Sequence, residues 1–352
     1  MDSFPRAAIS PTIKTRFLIL SDTHSLEFTP ETEPLQPPDV AIHCGDLTEG
    51  STLEELRSAI KLLANLDAPL KLVIAGNHDF TLDIPFFKDK AERQFKVLDP
   101  GLIKRAYGDF GEARQLFDDD DATPSGVVFL EEGTHHFTLK NGASLTVYAS
   151  PYTPSCGGWA FQYPQQLGHA FEIEKGVDLV MTHGPPKGIL DRTLSGDMAG
   201  STHVFQAVAR ARPRLHCFGH IHEGWGAKLV TWPPADKMGE PPSCPAYIDE
   251  ERSVSVANLS TLPRESGSGP GSGSESESES ESEPDAPESL KGKGDELKRR
   301  FKCYATSHCS GDVNPVEVGS QTLFVNASIK GTDEDYPLHP PWLVDIELPK
   351  AS

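Results

Sequence analysis

Short apolar runs alternate with polar, glycine-containing motifs along the first two thirds of this chain. The runs Phe17-Leu18-Ile19-Leu20, Val40-Ala41-Ile42, Leu72-Val73-Ile74-Ala75, Leu179-Val180-Met181 and Leu215-His216-Cys217-Phe218 are too short for helices and read as buried β-strands. Between them, Ser51 to Leu66 repeats apolar residues at Leu53, Leu56, Ile60 and Leu63, which predicts a helix opened by a Ser51-x-x-Glu54 capping box. Strand, helix and the strand at Leu70 to Ala75 make a βαβ unit and place the chain in the α/β class. Phe80 to Phe117 reads as helical in part. From Gly126 to Ser150 the period changes. Val127 to Leu130, His136 to Leu139 and Leu145 to Tyr148 read as antiparallel strands, the last two joined at Asn141-Gly142. Thr202 to Arg212 predicts a helix ended by Pro213, and Ala227 to Val230 and Val254 to Asn258 predict later strands of a second sheet. Thr322 to Ala327 and Leu343 to Leu348 return to strand periodicity.

The remaining segments lack such periodicity. Residues 1–14 read as a flexible arm, and Glu31 to Asp39 as a proline-rich loop. The tract 263–289 is Gly/Ser, then Ser/Glu, then Pro/Asp, and it lacks the apolar surface that would offset its ordering entropy, so disorder is expected. Residues 290–318 are basic to mixed and are expected to be partly ordered at most, with a short helix at Leu290 to Phe301. One domain, 15–262 with 319–352, interrupted by an insertion, accounts for this pattern.

Charge narrows the partners. The formal net charge is -20, with acidic tracts at Asp118 to Asp121 and Ser274 to Glu283. Such a field opposes bulk nucleic acid and anionic membranes, while leaving room for a small phosphoester in a local pocket. The six cysteines form no CxxC pair, and Met1 to Arg16 lacks a secretory apolar core. A reduced cytoplasmic or nuclear setting is expected, not a secreted one. Ser276, Ser278 and Ser280, each followed by glutamate, are candidate acidophilic-kinase sites.

Each of the five apolar runs leads into a motif of metal-ligating residues: Asp22-Thr23-His24, Gly45-Asp46, Gly76-Asn77-His78-Asp79, Thr182-His183-Gly184 and Gly219-His220-Ile221-His222. Carboxylate, amide and imidazole ligands delivered at several strand ends are what a two-metal site needs. The pattern resembles the calcineurin-like metallophosphoesterase superfamily. Ser21 to His24, Gly76 to Asp79, Phe218 to Gly224 and Phe324 to Ser328 are most similar to its metallophosphoesterase-domain-containing branch, which is associated with phosphodiesters including cyclic nucleotides. The resemblance spans Thr15 to Ser260 and Thr322 to Leu348.

The resemblance implies a four-layer αββα sandwich of two mixed sheets with flanking helices. It also implies two divalent or trivalent metal ions, of a kind that N/O ligands suit: Mn, Fe, Zn, Ni or Co. One metal would take Asp22, His24, Asp46 and His222; the other would take Asp46, Asn77, His183 and His220, with Asp46 bridging. His78 would act on the scissile phosphate or its leaving oxygen, and a metal-held hydroxide would attack. Asp79 would orient His78 or its loop. Glu49 stands where some relatives keep a carboxylate partner for the catalytic histidine, and a helix-capping or solvent-exposed role is the simpler account.

The implied function is hydrolysis of small phosphodiesters such as cyclic nucleotides. Phosphomonoester hydrolysis is the alternative within enzymes. A protein Ser/Thr phosphatase is disfavoured, because Gly45 to Gly50 lacks the Asp-Arg of that group and Gly76 to Asp79 lacks its glutamate. From another class, the chain is read as a metal-binding scaffold whose acidic insertion engages a protein partner. Trp159, Phe161 and Tyr163 are candidates for stacking a base or, more simply, for packing. His216 is a candidate support for the site, and Cys44 and Cys217 are read as packing residues.

Overall fold

The apolar runs become central strands of two sheets in the computed structural model of the chain. The structure describes residues 11–26, 29–31, 37–118, 125–234, 247–262, 300–332 and 337–351. Its strands are β1 (Thr12–Leu20), β2 (Thr29–Glu31), β3 (Val40–His43), β4 (Leu70–Val73), β5 (Val127–Phe129), β6 (Gly133–Thr138), β7 (Ser144–Ser150), β8 (Thr153–Pro154) and β9 (Gln162–Tyr163). They continue as β10 (Leu179–Thr182), β11 (Leu215–Phe218), β12 (Gly226–Thr231), β13 (Asp249–Asn258), β14 (Arg300–Lys302), β15 (Tyr304–Ser307), β16 (Gln321–Asn326) and β17 (Trp342–Pro349). The helices are α1 (Leu53–Ala64), α2 (Ile84–Arg93), α3 (Pro100–Tyr107), α4 (Glu112–Gln115) and α5 (Thr202–Ala211).

One sheet has the order β15-β17-β1-β3-β4-β5 and the other β13-β12-β16-β11-β10-β7-β6. Both are mixed. In the first, β17 runs antiparallel to β1 while β1, β3, β4 and β5 are parallel neighbours. In the second, β7, β10, β11 and β16 are parallel, flanked by antiparallel β6 and β12. The fold is thus an α/β arrangement of two mixed sheets with flanking helices.

Strand periodicity explains the layers. Phe17 and Ile19 of β1, Leu179 and Met181 of β10, and Leu323 and Val325 of β16 meet in one core between the sheets. Their alternates face outward: Leu18 and Leu20 pack with Leu56, Ile60 and Leu63 of α1, and Val180 and Phe324 pack with Val204, Phe205 and Val208 of α5. Because side chains alternate every residue, each strand serves both an inner and an outer layer. Cys44 and Cys217 lie in the inner core, where burial pushes both thiols well up, so they act as small apolar residues.

Several elements differ from the expectations above. The capping box of α1 is Thr52 with Glu55, one residue later than Ser51 and Glu54. Ser51 is drawn away because its hydroxyl bonds Thr81 Oγ1 at 2.8 Å, with its backbone at φ 60°. Glu55 also accepts from the N–H groups of Glu49 and Gly50, which ties α1 to the loop after Asp46. Val127 to Phe129 is not part of the antiparallel set; it is the parallel edge strand beside β4, with the Phe117 ring 4.8 Å from that of Phe129 and tilted 44° to it. β1 begins at Thr12, because the distant β17 supplies a partner for residues that carry no strand signal alone. Arg300 and Phe301 form a strand parallel to β2 instead of a helix end, and Tyr304–Ser307 adds to the edge of the first sheet beside β17. The tract 263–289, residues 290–299, most of the N-terminal arm and Asp119 to Asp121 lie outside the described residues.

The β1–β17 pair also carries a buried ionic clamp. Arg16 donates from Nε and Nη2 to the two oxygens of Asp345, both at 2.7 Å, directly across the register. Burial alone would raise the Asp345 carboxyl, but Arg16 and Lys14 outweigh it and hold it below the usual carboxylate range. A depressed folded-state pKa contributes stability that is fully present above the unfolded value of ~3.9 and is lost as pH falls from there through the lower folded-state pKa. Asp345→Asn is therefore expected to cost about 1–3 kcal/mol at neutral pH, a difference that shrinks progressively as pH falls below ~3.9, as measured by urea unfolding across an acid pH series.

Candidate metal centre

The motifs gather where the carboxyl ends of β1, β3 and β4 in one sheet meet those of β10 and β11 in the other. Backbone hydrogen bonds continue each ladder past the last strand residue: Asp22 N–H donates to Gly45 O, His24 N–H to Asp46 O and Gly219 N–H to His183 O. Side chains then join the sheets. His183 Nδ1 bonds Cys44 O at 2.9 Å, and the His220 N–H donates to both oxygens of Asp22, at 3.1 and 3.0 Å.

This crossing bends the chain into conformations that side chains avoid. Asp22, His24, Asp46 and His220 have φ of 52°, 44°, 52° and 68°. Non-glycine residues rarely adopt this left-handed region, and such residues persist only where the surroundings over-determine them. The motif glycines are needed for close approach. A Cβ at Gly219 would overlap Asp22 Oδ2 and Ser21 Oγ, and one at Gly76 would overlap Asp46 N and Oδ1.

Among the described residues, three groups bring ligand atoms within 4.8 Å of one another: Asp22 with His24 and His222, Asp46 with His183 and His220, and His24 with Asp46 and His78. The second group holds the carboxylate and imidazoles of one expected ligand set, and the first holds those of the other apart from Asp46. Asn77 joins the second, its Oδ1 lying 3.0 Å from His183 Nε2. Asp46 reaches both sets: Oδ2 is 3.4 Å from His183 Nε2 and 3.8 Å from His24 Nε2.

The donor inventory supports a cation here. His183 Nδ1 is engaged with a carbonyl, so it carries a proton; in the neutral ring Nε2 is then a bare acceptor. It faces two further acceptors, Asn77 Oδ1 and Asp46 Oδ2. Three converging acceptors need a positive species between them. Without a metal that species is a proton on His183, whose pKa is pushed up by Asp46 despite the opposing burial. His24 Nε2 is buried and makes no hydrogen bond. Burial alone would raise Asp22, yet its histidine neighbours, His222 first, hold it well below the usual range. The residues present fit a pair of metal ions.

His78 sits at the mouth. Its N–H donates to Asp46 Oδ1 at 2.8 Å, and its Nδ1 bonds the Glu49 backbone carbonyl at 2.8 Å. It is thus the Glu49 backbone that pairs with His78, and the Glu49 carboxylate is exposed, the simpler of the two readings. That carboxylate instead lies 3.2 Å from His24 Nδ1 and 2.7 Å from Lys330 Nζ, because Lys330 follows the last inner strand of the second sheet. Nor does Asp79 turn toward His78. Its buried carboxylate accepts from Leu47 N–H, Thr48 N–H, Thr48 Oγ1 and Gly76 N–H, fastening the Asp46 loop to the Asn77 loop. Burial and the Asp46 charge push its pKa up to about 6.

Other residues of the site lie beyond the motifs. Ser328 Oγ donates to Asp22 Oδ2 at 2.8 Å, and the Asn326 amide donates to Ile221 O and Leu190 O, fixing the turn that carries His220 and His222. Both fall in the Phe324 to Ser328 stretch, where the sequence signal was a resemblance without a role. His43 and His216 are buried supports: they bond Thr23 Oγ1 and Thr182 Oγ1, the neighbours of candidate ligands. Tyr163 is a packing residue, buried with its hydroxyl 2.6 Å from Ser201 Oγ. Trp159 is the exception among the stacking candidates, at 44% exposure with its ring 4.5 Å from His78.

A two-sheet fold with this cluster of carboxylates, amide and imidazoles at its strand ends defines a metal-dependent phosphoesterase architecture. The chain belongs to the calcineurin-like phosphoesterase family, whose model matches residues 15–224. It is 35% identical over 233 residues to metallophosphoesterase domain-containing protein 1 of Homo sapiens, covering 64% of this chain and 66% of that one. A UPF0046 protein of Caenorhabditis elegans is 33% identical over 220 residues, covering 60% of this chain and 52% of that one. The match thus spans about two thirds of the human relative's length and half of the nematode one's. Among solved structures, a purple acid phosphatase isolated from yellow lupin seeds aligns with a TM-score of 0.30 at 10% identity, over 64% of this chain and 40% of that one, too slight a likeness to bear on the site. Among the described residues, no helix is long and apolar enough to cross a membrane.

The Asp79 arrangement predicts a stability effect. Asp79→Ala strands four buried donors and is expected to cost about 2–4 kcal/mol by chemical denaturation, whereas Glu49→Ala, whose carboxylate is half-exposed, costs less than about 1 kcal/mol.

Proposed function

We propose that this chain is a dinuclear metal-dependent hydrolase of small phosphodiesters. The carrying observation is Asp46, whose carboxylate reaches both candidate ligand groups and also accepts the His78 N–H. Asp22, His24, Asp46 and His222 would hold one metal, and Asp46, Asn77, His183 and His220 the other. When bound, such a pair supplies Lewis-acid stabilisation of phosphate charge and a water acidified toward neutral pH.

The chain's own residues do the rest. A site with one neutral amide ligand and four histidines keeps net positive charge once two cations are present, which favours an anionic ester. Glu49 O holds His78 through Nδ1, so Nε2 is the nitrogen left for the substrate. As the water oxygen bonds phosphorus, the ester P–O bond breaks and the departing oxygen takes the Nε2 proton of His78 in its doubly protonated form; the ring is left neutral with its Nδ1 proton still on the Glu49 carbonyl, and the attacking water's proton passes to solvent. The buried Asp79 keeps the Asp46 and His78 loops in register through this change. Cyclic nucleotides fit a small diester of this kind, and the similarity to the metallophosphoesterase-domain-containing relatives supports that class.

Metal-stripped protein is expected to regain hydrolysis of bis-p-nitrophenyl phosphate when Mn, Zn, Ni, Co or Mg is added back singly, and to cleave it faster than p-nitrophenyl phosphate. Asp46→Asn should abolish the restored rate, and His78→Ala should lower kcat by about 10²–10⁴-fold while metal content is unchanged. Faster monoester cleavage would reassign the chain to phosphomonoesters, and full metal loading without turnover would overturn the enzymatic reading.

A further inference from the structure

Trp159 is a large, half-exposed aromatic that belongs to none of the buried apolar clusters among the described residues, and the loop that carries it is anchored on both sides. The following residue, Ala160, is fully buried with Phe80 and Phe87. The next, Phe161, sits at φ 50° and donates its N–H to Asp83 Oδ2 at 2.9 Å. The short β8–β9 ladder closes the base of the loop, with Thr153 N–H on Phe161 O and Ser155 N–H on Tyr163 O. The indole is thereby delivered onto the imidazole of His78, with centroids 4.5 Å apart and planes 31° apart. On another side, His24 meets the same imidazole edge-on at 4.7 Å. The Glu49 carbonyl fixes Nδ1. Of these three contacts, the one from Trp159 comes from the loop between β8 and β9, outside the segments that carry the metal motifs and the Glu49 carbonyl.

We propose that Trp159 is a positioning residue for His78, confining its imidazole to the rotamer that presents Nε2 to the ester oxygen. This rests on the role given to His78 above. A histidine on a loop otherwise samples several χ1 wells, and only one holds Nδ1 on the Glu49 carbonyl. Misplacing a proton donor by about an ångström lowers the rate while leaving substrate binding to the metals intact. The role differs from a base-stacking wall, which would change substrate affinity.

The test is a double-mutant cycle with an independent structural readout. With bis-p-nitrophenyl phosphate, Trp159→Ala is expected to lower kcat about tenfold with KM within about twofold, and Trp159→Phe to recover to within about threefold of wild type. In the His78→Ala background, Trp159→Ala should change kcat by less than about twofold, since coupled residues are not additive. In histidine-labelled protein, the ring signals lost in His78→Ala should shift in Trp159→Ala as the indole ring current is removed. A raised KM with unchanged kcat, an undiminished Trp159→Ala effect without His78, or unmoved ring signals would each overturn the proposal. If the wild type turns over no ester, the proposed activity fails on its own terms, and so does a positioning role in catalysis; the ring signals then report only whether the contact exists.

Discussion

Asp22 and Asp46 are carboxylates sealed from solvent at the junction of two sheets, and the surrounding architecture answers the problem that this creates. A buried charge without compensation is prohibitive, so it must be paired, hydrogen-bonded or bound to a cation. Here histidines arrive from the second sheet, and backbone and hydroxyl donors from His220, His78 and Ser328 close the remaining lone pairs. The same junction forces four candidate ligands into left-handed backbone and excludes any side chain at Gly76 and Gly219. Strain of this kind is tolerated because the inter-sheet core on one side and the outer helices on the other leave the strand ends no freedom to relax.

That arrangement also sorts the residues into ligands, supports and a mouth. Asp79, His43 and His216 face away from the reactive edge and spend their polar atoms on the loops and threonines beside the ligands. His78, Trp159, Glu49 and Lys330 lie at the more exposed rim, where a substrate would arrive. The acidic character of the chain as a whole does not extend into this rim unopposed, since Lys330 and His24 both engage the Glu49 carboxylate.

Much of this was legible in the chain because strand periodicity and glycine-flanked motifs are local signals. The five apolar runs are central strands, and the motif residues cluster at their ends, with Asp46 3.8 Å from His24 on one side and 3.4 Å from His183 on the other. What escaped were interactions made across long sequence distances. The strand at Thr12–Lys14 exists through β17, the edge position of β5 through β4 and Phe117, and the bond of Ser328 to Asp22 spans 306 residues. The Glu49 side chain is exposed, as the simpler reading had it, but its partners were not legible: Lys330 lies beyond the insertion, and the group that reaches His78 is a backbone carbonyl, which has no signature in sequence. The capping box slipped by one residue because Ser51 is committed to Thr81, a contact between loops rather than within the helix.

The most direct test is anomalous X-ray scattering from crystals of the full chain soaked with manganese. The account predicts two peaks about 3.5–4 Å apart, one beside Asp22, His24 and His222 and the other beside Asn77, His183 and His220, with Asp46 between them. A single peak, or two peaks that do not share Asp46, would contradict it.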